Sequence, residues 1–253
     1  MILLFYAFAR EIAPLRGRLK NRTALPHPGF HGFTARIGAK EFSAVGHGIG
    51  IHRARETAKR VLDLMPQPEL IVGTGVAGAL SAGLKPGDLV IADRIIAIES
   101  EGGPARAAVS TAGDHLIEIG GSLKRAGIAY STGGLLTSHR VLATGAEKRR
   151  AKEITGAIAV DMEAAAIADE AAARSIPFAV IRAVLDEVDE EVFGSEIADE
   201  HGRVRPLAAA SYLARNPRAA FKIPRLMRNI SIATNSIADA IEAIAHQGKP
   251  PRP

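Results

Sequence analysis

The chain has no cysteine and no tryptophan, and phenylalanine and tyrosine together make up only 4% of its 253 residues. The missing thiols remove disulfides, thiolate catalysis and zinc sites built on sulfur together, and their absence fits the cytoplasm. Eight histidines are present, but none falls in an HxH or HExxH arrangement. His27 and His31 have helical spacing, yet Pro28 and Gly29 between them break a helix, so no metal site is expected. There is no GxSxG elbow and no P-loop. Long apolar runs are missing too. The longest uncharged stretch, residues 70–84, is shorter than a bilayer span and rich in glycine, so no transmembrane helix is expected. The opening MILLFYAFAR has no basic leader and reaches charge at Arg10, which reads as a first core strand and not as a secretory signal. No repeat, low-complexity run or linker divides the sequence, and residues 1–253 read as one domain.

What is present suffices for a full core. Apolar residues are 47% of the chain, and its length fits one large α/β domain. The formal net charge of +5 is unevenly placed: residues 186–200 hold eight acids and no base, whereas residues 201–238 hold seven lysines or arginines and no acid. Such a distribution suits an acidic partner or surface and marks a basic, helical C-terminal segment from about residue 201.

The chemistry concentrates in residues 159–189, AVDMEAAAIADEAAARSIPFAVIRAVLDEVD. A short apolar run at 157–160 passes directly into an alanine-rich stretch, 164–174, of high helix propensity. The spacing predicts a strand and then a helix, with Glu163 at the junction. Pro177 punctuates, and 178–185 reads as a second strand ending on Asp186. In parallel α/β sheets ligands bind beyond the carboxyl ends of strands, where both carboxylates would sit. Each also has a plainer use: Glu163 can cap the helix and Asp186 can open an acidic loop.

Upstream, residues 1–8 read as a strand and 9–19 as helix or loop, making Glu11 a third carboxylate near a strand end, or else a solvated first-turn glutamate. Strands near 33–37 and 42–46 form a hairpin around 38–40. GHGIGIHRARETAKRVLDL then reads as a glycine-rich turn feeding an amphipathic helix with Ala54, Ala58, Val61 and Leu62 on one face. Its glycines let the backbone pass close to a site, while His47 and His52 read as surface or loop residues. Residues 69–72 lead into GTGVAG, where Gly73, Gly75 and Gly78 match GxGxxG. A dinucleotide fingerprint needs an uninterrupted helix next, which Gly83 and Pro86-Gly87 deny. The segment reads instead as a loop offering the N–H groups of Gly75, Val76, Ala77 and Gly78 to an anion or hydroxyl, or as a tight strand exit. Further strands are expected at 88–97 and 128–137, a helix at 114–125, and helices near 207–215 and 224–245. His139, just past the 128–137 strand, is either a ligand contact or a loop histidine.

DMEAAAIA and PFAVIRAVLD resemble the nucleoside phosphorylase and nucleosidase superfamily, in which a Met-Glu pair followed by small residues binds ribose and an aspartate after the next strand assists the leaving purine. The resemblance places Met162 and Glu163 on the ribose and Asp186 at the base. AFAREIAPL is similar to the opening of adenosine-type nucleosidases, where the glutamate at the position of Glu11 activates water. GVAGALSAGLKPGDLVIADRII looks like the superfamily's glycine loop, carrying Gly75, Val76, Ala77 and Gly78, and the strand after it. Residues 135–142 then border the base. There His139 is a base or phosphate contact, and Val141 stands where adenosine-type nucleosidases carry a stacking aromatic. The resemblance implies a single-domain, three-layer α/β/α fold around a mixed sheet, a small-molecule nucleoside substrate, a homo-oligomer, no nucleic acid and no cofactor, with inorganic phosphate the one candidate co-substrate.

By analogy with glycoside hydrolysis, Asp186 is the expected acid toward a purine ring nitrogen, Glu163 the acceptor for ribose hydroxyls, Glu11 the base that activates water and Met162 an apolar wall under the sugar. Phosphorylases of this superfamily clamp phosphate with arginines before the glycine loop and in the first loop. Here Leu70, Ile71 and Val72 precede Gly73, so water is the implied acceptor, with Arg10, Arg53 and Arg140 left as possible cations for phosphate. The tail HGRVRPLAAASYLARNPRAAFKIPRLMRNI is most similar to hopanoid-associated phosphorylases. That likeness implies cleavage of adenosylhopane to ribosylhopane and adenine, at peripheral contact with the inner membrane. Other readings are a 5′-methylthioadenosine/S-adenosylhomocysteine-type nucleosidase, a purine nucleoside phosphorylase, or a non-enzymatic module whose basic tail binds a membrane surface.

Overall fold

The computed structural model describes residues 1–192, 211, 215–216 and 221–246, apart from residues 28, 39, 102, 111 and 112. Strand β1 (Ile2–Tyr6), ILLFY, is buried at every position because parallel neighbours flank it on both sides and helices cover both faces. Ile2 pairs with Phe42 of β4 (Lys40–Gly46) on one edge and with Leu70 of β5 (Leu70–Ala79) on the other. Beyond β4, the antiparallel strands β3 (His31–Ile37) and β2 (Arg22–Ala24) complete that side, with the expected hairpin between β3 and β4.

On the other side lie β9 (Ala159–Asp161), β8 (Tyr130–Ser138), β6 (Leu89–Ile98) and β10 (Phe178–Asp186), with β7 (Arg106–Ser110) attached to β6. Strand β10 pairs antiparallel with β6 and parallel with β5, so five strands, β5, β10, β6, β8 and β9, close on themselves while β1 to β4 extend as an open sheet. The sheet is mixed, and helices pack on both faces. On one face α1 (Ala9–Arg18), α3 (Gly113–Arg125) and α6 (Ile223–Ala245) bury Ile12, Leu15, Ile119, Leu123 and Ile237 in a shared core. On the other, α2 (Ile51–Leu64) buries Ala54, Ala58 and Val61 against α5 (Ala164–Ala172), whose alanines are small enough to let the two helices lie close.

The structure departs from the sequence pattern at four places, one of them the short strand β2, which no sequence pattern announces. GTGVAG is not a loop: Gly73, Gly75 and Gly78 all lie inside β5, which continues past the end of β1 to pair with β9 and β10. Strand β7 and helix α4 (Gly145–Thr155) were not expected. The ends of α4 are nonetheless written locally: Thr144 Oγ1 accepts the Glu147 N–H (3.3 Å), the Glu147 carboxylate accepts the Thr144 N–H (2.9 Å), and Gly156 closes the helix at φ +67°. The helix expected near 207–215 falls outside the described residues except at its isolated positions 211 and 215.

Candidate active site

Chain and site meet where β1 ends and α1 begins. Glu11, in the first turn of α1, is not solvated: it is 2% exposed. Its Oε2 accepts the N–H groups of Ala7 (2.7 Å) and Phe8 (3.3 Å), and its Oε1 accepts that of Val76 (2.9 Å). The extension of β5 brings Val76 into reach, and Gly75 beside it has φ +144°. A Cβ at Gly75 would stand 2.5 Å from Glu11 Oε1 and 2.6 Å from Arg182 Nη1, so the glycine is required twice, by conformation and by space.

Arg182 sits opposite Gly75 in the β10–β5 register and is fully buried. It grips Asp161 Oδ2 through Nε (3.0 Å) and Nη2. Asp161, the last residue of β9, also accepts the Thr137 hydroxyl (2.7 Å) and the Ala164 N–H (3.0 Å). Asp161 therefore caps α5, and Glu163 does not. Glu163 turns the other way: Oε1 accepts the Gly50 N–H (2.8 Å) and Oε2 that of half-buried Met162 (3.2 Å). Gly50, at φ +102° in the GHGIG turn, lets the backbone come close to Glu163, as the glycine content suggested. Sequence reasoning passed over Arg182 and Asp161, although one charge inside an apolar strand and another at the end of the preceding one are a signal, because buried charges come in pairs.

His47, read as a surface or loop residue, does lie in the turn after β4 but is buried there, because the chain turns inward to bond Tyr6 at the end of β1. Burial first, and then the positive charge of Arg182, pull its imidazole down to about 3, so it is neutral. Nδ1–H donates to the Gly48 carbonyl (2.6 Å), leaving Nε2 as a buried acceptor without a partner; the Thr74 hydroxyl, next to Gly75, is also unpartnered. His52 is exposed, as expected.

Asp186 closes the other end. It ends β10 opposite Gly78 of β5, where a Cβ would come within 3.1 Å of Oδ2. Its partner is Lys148 of α4, whose ammonium bonds Asp186 Oδ2 and the carbonyls of Glu187 (2.8 Å) and Glu190 (2.9 Å). Burial raises the Asp186 carboxyl to about 6, against the opposing pull of Lys148. Gly75, beside Glu11, and Gly78, beside Asp186, are three residues apart on β5, roughly 10 Å of backbone at the usual strand rise. Among the other predicted residues, Ala77 lends only its backbone, its methyl lying in the core, and Val76 and Gly78 are half-buried. His139 and Val141 follow β8 as half-buried residues; His139 Nδ1 is buried without a partner, and no described contact ties either residue to the three carboxylates.

A model of the phosphorylase superfamily matches residues 2–214. The chain belongs to that superfamily. It is thereby an enzyme of N-glycosidic bond cleavage, and solved structures share its fold at low identity. The 5′-methylthioadenosine/S-adenosylhomocysteine nucleosidase of Neisseria meningitidis, in complex with methylthio-immucillin-A, is 21% identical, with 96% of this chain and 97% of that one covered at a TM-score of 0.73. The S-adenosylhomocysteine nucleosidase of Streptococcus pyogenes, in complex with 5-methylthiotubericidin, is also 21% identical, over 96% and 94% of the chains, at 0.73. Futalosine hydrolase of Helicobacter pylori is 16% identical over 97% of each chain, again at 0.73.

In this phosphorylase-superfamily site three carboxylates, Glu11, Asp161 and Glu163, surround one guanidinium, so they cannot all ionise cheaply. Burial first, then the negative charge of Asp161, push Glu163 up to about 8, while Arg182 works against them; Glu11 is raised as well, mainly by burial. A carboxyl that binds its proton more tightly in the folded chain stabilises the fold fully below its ordinary value of 4.5, and that contribution disappears as pH rises through about 8. The melting temperature is therefore expected to fall between pH 5 and pH 9, with Glu163 contributing up to about 1.4 kcal/mol per pH unit. Glu163→Gln should flatten the slope; melting curves across that range that keep the full slope in the variant would place the titration elsewhere.

Proposed function

We propose that the chain is a nucleosidase that cleaves the N-glycosidic bond of an adenine nucleoside with water as acceptor, and that the nucleoside is lipid-linked at its 5′ position, as in adenosylhopane. The observation that carries the chemistry is that the C-terminal half of β5 carries Glu11 against Val76 and Asp186 opposite Gly78, with Glu163 close enough to Glu11 to feel its charge. In this mechanism the C1′–N9 bond breaks with its electron pair moving to the purine. Asp186 gives its proton to a ring nitrogen, and the ribose gains oxocarbenium character. Glu163 accepts the ribose hydroxyls, whose bonds strengthen as positive charge grows on the sugar, and Met162 lies against the ring. Water adds at C1′ and Glu11 takes its proton, held in place by the N–H groups of Ala7, Phe8 and Val76.

Arg182, Arg140 and Arg10 favour water. Arg182, the buried cation nearest Glu11 and Glu163, is already matched by Asp161. Arg140 pairs with Glu147 (2.7 Å) and Arg10 lies on the exposed face of α1. The adenine preference rests on the neighbours, which act on or hold adenosine-type nucleosides. The lipid-linked substrate rests on the character of the C-terminal segment: Phe221 is 86% exposed, Met227 is exposed, and Arg10, which contacts Met227 Sδ at 3.6 Å, lines a surface cavity with Arg16 and Arg22. Not every cation of that segment is available, because Lys222 pairs with Glu191 (3.1 Å) and Arg225 with Glu187 and Glu190. The acidic run at 186–200 thus neutralises part of the basic one, and peripheral membrane contact would lean on Arg10, Arg16, Arg22 and Arg228 with Phe221 and Met227. No helix among the described residues is long and apolar enough to cross a membrane. We expect a homo-oligomer, as in the superfamily resemblance.

The test is release of adenine in phosphate-free buffer from two substrates, soluble methylthioadenosine and adenosylhopane in anionic vesicles. Adenine and free sugar should appear without phosphate, with the higher kcat/KM on the lipid-linked nucleoside. A strict need for phosphate and a ribose 1-phosphate product would overturn water as acceptor. Preference for methylthioadenosine would assign the chain to the soluble nucleosidase reading.

A further inference from the structure

Lys148 is a buried side chain at Asp186 that the mechanism above leaves unused. It comes from α4, an element with no residue in the predicted site, and its side chain is 1% exposed. A buried lysine is rare unless its charge is met, and an ammonium has three protons to place. Here all three have acceptors: Asp186 Oδ2, the Glu187 carbonyl at 2.8 Å and the Glu190 carbonyl at 2.9 Å. The group is therefore held at a fixed point. Three bonds in different directions leave it no rotational freedom, and it fixes Asp186 in turn. One carboxyl oxygen is engaged, while no described residue bonds Asp186 Oδ1.

We propose that Lys148 is the positioning residue of the leaving-group acid: it grips one oxygen of Asp186, directs the other to the departing base, and neutralises the carboxylate that proton donation leaves behind. The inference rests on the assignment of Asp186 as the acid. When the C1′–N9 bond breaks and its electrons pass to the purine, Asp186 delivers its proton to a ring nitrogen and becomes an anion in a site almost closed to water. An uncompensated anion there would resist forming, and proton transfer would lag behind bond cleavage. Lys148 supplies the counter-charge before the reaction starts, so nothing has to reorganise during it.

Among the described residues, few charged groups face Asp186. Lys148 approaches from α4, and β5 contributes only Gly78. Glu190, in the segment after β10, opposes ionisation, but it is drawn to Arg225 of α6 (3.1 Å). Glu187 beside it is held by Lys85 (2.5 Å) and Arg225 (3.4 Å). Removing Lys148 would leave the carboxylate with only burial and Glu190 acting on it, both favouring the protonated form. Asp186 would become a weaker acid that stays protonated to higher pH. Two consequences separate this role from that of a structural anchor: the alkaline limb of the rate profile moves up, and the loss depends on how much the leaving group needs a proton.

The experiment uses the full chain with Lys148→Met and Lys148→Arg, and two substrates: the purine nucleoside the wild type cleaves best, and p-nitrophenyl β-D-ribofuranoside, whose leaving anion needs no protonation. Lys148→Met should lose ~10-fold or more on the purine nucleoside at the acid plateau, a part of the acid's usual contribution. Its alkaline limb should move to higher pH, and its rate on the nitrophenyl riboside should stay within about threefold of wild type, below the range expected for losing an acid. In an Asp186→Asn background Lys148→Met should cost nothing more on the purine nucleoside. Equal losses on both substrates with an unmoved limb would overturn the inference and make Lys148 an anchor of the 187–190 segment. If Lys148→Met does not fold, Lys148→Arg decides: it keeps the charge, so its limb should stay put and its loss fall on the purine nucleoside alone, and an equal loss on both substrates overturns the proposal. Wild-type protein that releases neither base from the nucleoside nor nitrophenolate from the riboside would bring down the nucleosidase reading itself, and this inference with it.

Discussion

Asp186→Asn is expected to lower turnover on a purine nucleoside by ~10²- to 10⁴-fold, the usual cost of losing a general acid, with the fold intact. The amide has no proton to give at the acidity required, yet it has the same shape, and its oxygen can still accept a bond from Lys148. Lys148 also keeps its two carbonyl partners, Glu187 and Glu190. The loss should therefore appear in kcat, while the far-ultraviolet spectrum and the cooperativity of melting stay close to wild type. The pH profile sharpens the expectation. With the carboxyl at about 6, the wild-type rate should fall as pH rises above that value, because the protonated form is the active one. In the variant this limb should vanish. Near-wild-type turnover on a purine nucleoside would remove Asp186 from the mechanism.

Glu163→Gln is expected to depress the chemical step more than substrate affinity, by an order of 10²-fold in kcat. Two oxygens of Glu163 are held by the Gly50 and Met162 N–H groups, which aim the carboxylate and leave lone pairs for ribose hydroxyls. In the ground state those hydroxyls are ordinary donors that an amide oxygen satisfies nearly as well. In the transition state, positive charge spreads over the ribose and the hydroxyl protons become more acidic, so Glu163 in its carboxylate form, which grows as pH rises toward about 8, gains as an acceptor and the amide does not. The amide nitrogen would also face the Met162 N–H, two donors where one acceptor stood. Single-turnover rates measured beside substrate dissociation constants separate the two effects. A fall in affinity with an unchanged chemical rate would reduce Glu163 to uniform binding.

The readable parts of the site were those where one residue type does one local job. The strand-to-helix junction at Glu163, the strand end at Asp186 and the acid in the first turn of α1 all follow from local pattern, and the structure places them there. Which of them is buried was not readable. Glu11 stood in the sequence as a first-turn glutamate, which is normally solvated; its burial depends on β5 running past β1 to cover it, and that is a property of pairing between distant strands. The same extension turned the glycine pattern from a loop into a strand. Spacing showed that Gly75 and Gly78 mattered, but not that they matter because Glu11, Arg182 and Asp186 press on the places where side chains would be.

By itself the sequence determined the α/β class, the apolar strand β1, the amphipathic face of α2, the alanine helix α5 and the places of Glu11, Glu163 and Asp186 at element ends, because each is written in a period or a junction spanning a few neighbouring residues. Tertiary structure decided the rest: the closure of five strands through the two-sided pairing of β10, the use of Asp161 in place of Glu163 as the cap of α5, the pairing of Arg182 with Asp161 and the arrival of Lys148 at Asp186. Those depend on charges from separate elements being buried together. A charge enters a protein interior only with a partner, and the partner is chosen by how strands and helices pack, which no window of local sequence contains.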